Sequence, residues 1–203
     1  HSAGSNGFDG LLSIRPDGKL YVHSGVGNLG TYSYAGTSRA AAEVLQCSWD
    51  NTVVLRGDSR QGLPWTLAQF GSNSSYTNTR TNFVAATKMK KMLQRLAAQE
   101  LGDAPEDYDV ANETVFHTSD ETKIMTFAES ASKAIELGGE WDGHEYPDDL
   151  NDVTKSAMKK VVGAGLVSAA KDKIPKEGSV PGMATGYCMI ELDTETGKFE
   201  ILE

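Results

Sequence analysis

A Pro-Asp-Gly turn between two short apolar runs constrains this chain more than any other feature. Leu11-Leu12-Ser13-Ile14 and Leu20-Tyr21-Val22 flank Arg15-Pro16-Asp17-Gly18-Lys19. Proline presets φ at its turn position and glycine takes the left-handed one, so the runs are predicted to pair as an antiparallel hairpin. A second hairpin is predicted near the other end, Thr185 to Leu192 and Lys198 to Leu202 around Asp193-Thr194-Glu195-Thr196-Gly197. Helical patterns lie between them. Tyr34, Ser38, Ala41, Ala42 and Leu45 recur at helical spacing, and Val53-Val54-Leu55 reads as a short buried strand. Ala86, Met89, Leu93, Leu96 and Ala97 form an apolar stripe that Gly102 is placed to end. Strands are predicted over Asp109 to Phe116 and Lys123 to Met125. Thr126 and Glu129 have capping-box spacing, opening a helix that runs to Leu137 with Gly138 beyond it. Residues 138–152 read as loop. Val153 to Ala170 reads as a helix interrupted by Gly163-Ala164-Gly165. Hairpins at both ends with helices between them imply an α+β fold with a mixed sheet, not a doubly wound parallel one. The chain is expected to be one domain over 1–203, with halves at 1–102 and 103–203.

Charge narrows the partners. The 203 residues carry 19 basic and 28 acidic side chains, a net −9. That balance disfavours a phosphate-tracking nucleic-acid binder. No apolar run approaches the roughly 18 residues a membrane span needs. Backbone N–H groups could still hold a small anion. Cys47 and Cys188 match no metal or cluster spacing and are expected to be free thiols rather than a bridge. The chain starts at His1 and carries no signal-peptide pattern, so a piece of a longer polypeptide is expected, cytoplasmic rather than periplasmic.

Gly25-x-Gly27-x-x-Gly30 follows the second strand and precedes the first helix. Its spacing matches the dinucleotide fingerprint. Against that reading, the strand before it already belongs to a hairpin, Asp58 falls late for a ribose ligand, and no further βαβ unit follows. Three readings stay open: a dinucleotide site using Gly25, Gly27 and Gly30, a turn with special φ angles, or another loop that approaches a phosphate or a pterin. Gly71-Ser72-Asn73-Ser74-Ser75-Tyr76-Thr77-Asn78-Thr79 is either a solvated loop or a second set of donors and acceptors. His23 reads as a hydrogen-bonded structural residue, His117 and His144 as surface residues. The acids from Asp142 to Asp152 read as a solvated loop.

The order of these segments resembles the molybdopterin-binding subunit of the xanthine dehydrogenase and aldehyde oxidase family. It is carried by strand, Pro-Asp-Gly, strand, glycine turn and a helix ending Ala41-Ala42-Glu43-Val44-Leu45. The Val-Val strand, Gly71-Ser72-x-Ser74-Ser75 and the final Glu191-Leu192-Asp193-Thr194-Glu195-Thr196-Gly197 complete it. The resemblance implies a molybdenum pyranopterin, in some members a cytosine dinucleotide, and hydroxylation of an aldehyde or a heteroaromatic C–H. It implies cofactor contacts at Gly30, Thr31, Gly71, Ser72, Ser74 and Ser75, with Thr31 and Tyr32 standing where the family has Gln-Gly. The family's Gly-Glu-Pro-type segment, which carries the general base, is missing, so no catalytic and no metal-ligating residue is assigned and the chain alone is expected to be inactive. Iron–sulfur clusters and FAD are expected on partner chains, beside the remaining molybdenum-subunit polypeptide. A non-catalytic assembly domain that has lost the cofactor is the alternative from another class.

Overall fold

The Pro-Asp-Gly turn closes the predicted hairpin: Gly18 takes φ 77° and its N–H donates to the Arg15 carbonyl at 2.9 Å. The computed structural model describes residues 7–66, 69, 73–175 and 185–202. In chain order, β1 (Asp9–Ile14) and β2 (Leu20–His23) lead to α1 (Ser33–Leu45) and β3 (Thr52–Leu55). The long α2 (Asn73–Leu101) follows, then β4 (Tyr108–Ala111), β5 (Thr114–His117) and β6 (Ile124–Thr126). The chain continues through α3 (Phe127–Leu137), α4 (Asp152–Met158), β7 (Leu166–Lys171), β8 (Ile190–Leu192) and β9 (Phe199–Ile201).

The main sheet has the order β3-β2-β1-β7. β1 pairs antiparallel with β2 and β7, while β2 and β3 run parallel. The fold is therefore mixed α/β, with a single parallel pair joined through α1. β7 corrects the sequence reading. The expected helix from Val153 stops at Met158, and the Gly163-Ala164-Gly165 segment turns the chain into the strand that pairs with β1. Gly165, at φ 149°, lies so close to Ile14 that a Cβ would fall 2.0 Å from the Ile14 carbonyl oxygen. The single strand expected over Asp109 to Phe116 is instead the β4–β5 hairpin. Asn112 and Glu113 sit at its turn with φ 51° and 56°, the left-handed pair of a type I′ turn. The capping box forms as predicted: Glu129 N–H donates to Thr126 Oγ1, and Thr126 N–H donates to Glu129 Oε2.

β1 is buried on both faces. Gly10, Leu12 and Ile14 point to α2, and Leu12 and Ile14 join Met89, Leu93, Val110 and Phe127 in the larger core. Leu11 points the other way, to Met158, Val161 and Val167. Asp9 lies on that second face. Its Oδ2 accepts from the Asn151 backbone N–H at 2.8 Å and from Asn151 Nδ2 at 2.9 Å, which holds the start of α4. α2, 29 residues and about 43 Å long, spans from the main sheet to the β4-β5-β6 meander. Arg80 anchors its first half. Its guanidinium grips buried Asp172 bidentately, with Nε to Oδ2 at 2.7 Å, just beyond β7. Two surface readings are corrected by burial: Asp142 is buried and receives the His144 N–H, and the His117 ring packs edge-on against Tyr108. Cys47 and Cys188 are free. Among the described residues no helix is long and apolar enough to cross a membrane.

A methyl group at Gly10 would sit 2.1 Å from the Thr81 carbonyl oxygen and 2.8 Å from Ala85 Cβ. Gly10→Ala therefore forces α2 off the sheet. It is expected to cost about 3 kcal/mol and to lower Tm by roughly 6–12 °C, measured by thermal unfolding.

Candidate functional site

β2 ends at His23, and nine residues pass before α1 begins, so the glycine segment is an extended crossing rather than a tight strand-to-helix turn. Its three glycines serve different ends. A Cβ on Gly25 would lie 2.6 Å from Thr66 Oγ1 and 2.7 Å from the Pro64 carbonyl oxygen, so this glycine makes room for the chain itself. Gly27 faces the Gln69 carboxamide. Gly30, at φ 88°, has nothing within 4 Å of its Cβ position and is open on that side. The first position of the dinucleotide fingerprint is thus filled by the molecule's own loop. Asp58, its proposed acid, caps a short turn and pairs with Arg60 instead.

Asn28 sets the shape of the open end. Its Oδ1 accepts from the Gly30 N–H at 2.9 Å and the Tyr32 N–H at 3.3 Å. Two of the amides expected to meet a ligand therefore hold a side-chain oxygen of the chain. Thr31 is exposed between them. Tyr32 takes φ 50° and ψ 24°, the left-handed conformation usually left to glycine, at a strain cost. Arg56, directly after β3, lies 3.8 Å over the Tyr34 ring and brings a cation to the same end of the parallel pair.

The hydroxyl-rich segment is not a loop. Asn73 onward is the first part of α2, with Ser74 half-buried and Ser75 exposed. Gly71 and Ser72 lie outside the described residues. Gln69 connects the two predicted segments: its Nε2 donates to Ser33 Oγ at 3.0 Å while its Oε1 faces Gly27. Beside the site the first half of α2 and the facing part of α1 bury polar groups, whereas farther along Ala41 and Leu45 join Ala85, Ala86 and Met89 in the apolar core. Thr37, Ser38, Asn73, Thr77, Asn78, Thr81 and Asn82 are all buried. Most are satisfied within the chain: Asn82 Nδ2 donates to the Thr37 carbonyl at 3.0 Å, and Thr81 Oγ1 to the Asn78 carbonyl at 3.1 Å. The Ser38 and Thr77 hydroxyls are buried with no hydrogen-bond partner. Buried polar atoms are nearly always paired, so these two hydroxyls lack the partner such atoms ordinarily have.

Sequence reasoning missed Asn28, Arg56 and Gln69, and named Thr77 only as part of the hydroxyl-rich segment. A signal for Thr77 existed: positions 73, 77 and 81 continue the helical spacing of Ala85 and Met89 upstream. Ser38 was on the buried helical stripe as its one small hydroxyl. Nothing local marks Arg56 or Gln69, because pairing and loop course bring them in.

His23 closes the base of the site. Its Nδ1–H donates to the Gly62 carbonyl at 2.9 Å, and its Nε2 accepts from Ser13 Oγ at 3.1 Å. That ties the loop under Gly25 to the sheet. Burial holds its pKa down at about 4, against the opposing pull of the carbonyl bonds, so the ring is neutral at pH 7. The arrangement offers hydroxyls, carboxamides and open backbone to a flat, polar-edged ligand. Its Ser13–His23 pair is fully buried in the sheet and closed to a substrate, and among the described residues no group of three or more His, Cys, Asp or Glu is gathered.

Comparison with known proteins was informative. Residues 2–203 match the family model described as the molybdopterin cofactor-binding domain. A protein described as probable hypoxanthine oxidase XdhD, from Escherichia coli strain K12, is 29% identical over 101 residues, which is 50% of this chain and 10% of that one. The same holds for its counterpart in Escherichia coli O157:H7. Quinoline 2-oxidoreductase from Pseudomonas putida 86 superposes with a TM-score of 0.60 at 18% identity, over 97% of this chain and 22% of that one. CO dehydrogenase from Oligotropha carboxidovorans gives 0.59 at 19% identity, over 96% of this chain and 21% of its own. These structural likenesses concern the fold, and this chain spans about a fifth of the length of those chains.

Two outcomes follow from the site's geometry. The His23 pKa lies below its unfolded value of about 6.5, so the unfolded state binds the extra proton between the two. The contribution of this group to stability is present above pH 6.5 and is lost as pH falls toward about 4, by about 3 kcal/mol. Tm measured across that window is expected to fall in the wild type and to fall less in His23→Gln. Tyr32→Gly removes the left-handed strain and is expected to raise stability by about 1 kcal/mol, or roughly 2–4 °C in Tm.

Proposed function

Because this chain belongs to the molybdopterin cofactor-binding domain family, we propose that it forms one wall of a molybdenum–pterin site in an oxidoreductase completed by other polypeptide. The observation that carries the reading is the pair of buried, unpartnered hydroxyls, Ser38 and Thr77, on the two helices that leave the glycine and serine segments. A pterin's ring nitrogens, carbonyl and phosphate need such donors and acceptors, so the residues present fit the group. When bound, that group supplies the hydroxylation of an aldehyde or a heteroaromatic C–H. The residues of this chain bind and orient it. Gly30 leaves its backbone open to close approach, and Thr31 offers a hydroxyl at the turn. Ser74 and Ser75, in the first turn of α2, and Gly71 and Ser72, just before it in sequence, are the further contacts of this reading, and Ser38 and Thr77 hold the buried edge. Asn28 keeps the Gly30 and Tyr32 amides in place and yields them to a ligand oxygen. The general base, the iron–sulfur clusters and FAD belong to partner chains in this reading, and the chain alone does not turn over substrate.

A second reading, a cofactor-free assembly domain, draws on Asn28 filling the turn amides and on Tyr32 standing where the family has glycine. One pair of variants separates the two. Ser38→Ala and Thr77→Val each remove an orphaned hydroxyl and leave the shape almost unchanged. In the chain without cofactor, Tm is expected to stay level or rise, by up to about 1 kcal/mol of stability. In the assembled complex, oxidised-pterin fluorescence and molybdenum by mass spectrometry are expected to drop at least fivefold. Wild-type loading in both variants, or a wild-type complex with neither pterin nor molybdenum, rejects the first reading.

A further inference from the structure

The last hairpin of the chain is built and then left uncovered. In β8–β9, Ile190 pairs with Ile201 and Leu192 with Phe199, while Glu191 pairs with Glu200. Alternation puts the four apolar side chains on one face and the two glutamates on the other. All six residues are exposed, and the apolar four are between 49% and 64% accessible. A two-stranded hairpin standing alone is marginally stable at best in water, yet this one has a well-made turn. Asp193 Oδ1 accepts from the Glu195 N–H at 2.9 Å and the Thr196 N–H at 3.2 Å, and Gly197 takes φ 72°. A rigid turn carrying an apolar face fits an element preformed to dock.

Charge selects the occupant. Asp193 and Glu195 lie at the turn and Glu191 and Glu200 on the opposite face, with Lys198 as the single described cation of the hairpin, so the element is acidic as a whole. A second copy would bring like charges together, on a chain that already carries −9. We propose that β8–β9 docks its Ile190, Leu192, Phe199 and Ile201 face onto an apolar strand surface, rimmed by Lys or Arg, on the polypeptide that completes the molybdenum subunit. This rests on the functional reading above. It is supported by the length comparison: the solved chains that resemble this one are between four and five times as long as the part it covers. The mode is face-to-face packing, in which the apolar side chains supply affinity and the charged rim supplies specificity.

The test uses the full chain co-expressed with the polypeptide carrying the Gly-Glu-Pro-type segment. Leu192→Lys combined with Phe199→Lys is expected to weaken the complex at least tenfold. The Tm and far-UV circular dichroism of the chain alone should not change, because both side chains are more than half exposed. Amide hydrogen exchange over 189–202 is expected to slow in the wild-type complex, and an amine cross-linker is expected to join Lys198 to a partner lysine. A double variant that binds as tightly as wild type overturns the proposal. So does a wild-type chain that dimerises on its own and is dispersed by the variant, since that makes the occupant a second copy. A complex that needs the hairpin but holds no pterin overturns the functional reading and leaves the docking intact. A pterin-loaded complex indifferent to the variant does the reverse.

Discussion

Strand β1, buried on both faces, is the constraint on which the rest of the structure depends. Residues pointing up must meet α2, and residues pointing down must meet α4 and the segment before it. The upper meeting is possible only because Gly10 has no side chain where α2 crosses at Thr81 and Ala85. Once that crossing is set, so is the course of α2, and with it the position of its polar first half beside α1. Buried Asp172, gripped by Arg80, fixes the same half of the helix to the end of β7. The lower face is held differently, by buried Asp9 accepting from Asn151 at the head of α4. A carboxylate inside a sheet is tolerable because its oxygen receives two hydrogen bonds there.

The candidate site grows out of this frame. β2 and β3 are the one parallel pair, so their carboxyl ends lie together, and the glycine segment and Arg56 leave from the same edge. Glycines that look equivalent in sequence part ways here. Gly25 gives way to the Pro64 carbonyl and the Thr66 side chain, and Gly30 to open space. Polar packing where the first half of α2 lies beside α1 is an unusual use of a helix surface in a small domain, where apolar contact of the kind made by Ala41, Leu45, Ala85 and Met89 would stabilise more. It makes sense as a lining held ready for a polar ligand, at the cost of two unpaired hydroxyls in the chain alone.

Family membership and the uncovered hairpin point the same way. A molybdopterin cofactor-binding domain that covers about a fifth of the solved chains it resembles agrees with the proposal of one wall in a larger enclosure. Its acidic, apolar-faced terminal hairpin is the joint that the docking proposal assigns to the remainder. Apolar sheet faces and charged rims are how polypeptides choose such neighbours.

Local chemistry was legible in the residues alone. The Pro-Asp-Gly hairpin, the capping box at Thr126, the stop at Gly138 and the α2 stripe each depend on groups within a few positions of one another, and each formed where the sequence implied. The same locality carried the family resemblance, and with it the general nature of the cofactor. What the residues could not show was long-range. Val153 to Ala170 has the apolar content of a helix, but pairing with β1 makes its second half a strand, because only a strand completes both faces of that sheet. The serine-rich stretch has the composition of a loop, but the crossing at Gly10 and the Arg80–Asp172 pair extend α2 through it. Asn28, Gln69 and Arg56 acquire meaning only after the chain returns on itself. Spacing along a sequence specifies hydrogen bonds between neighbours, and burial against distant elements decides which of the competing local structures survives.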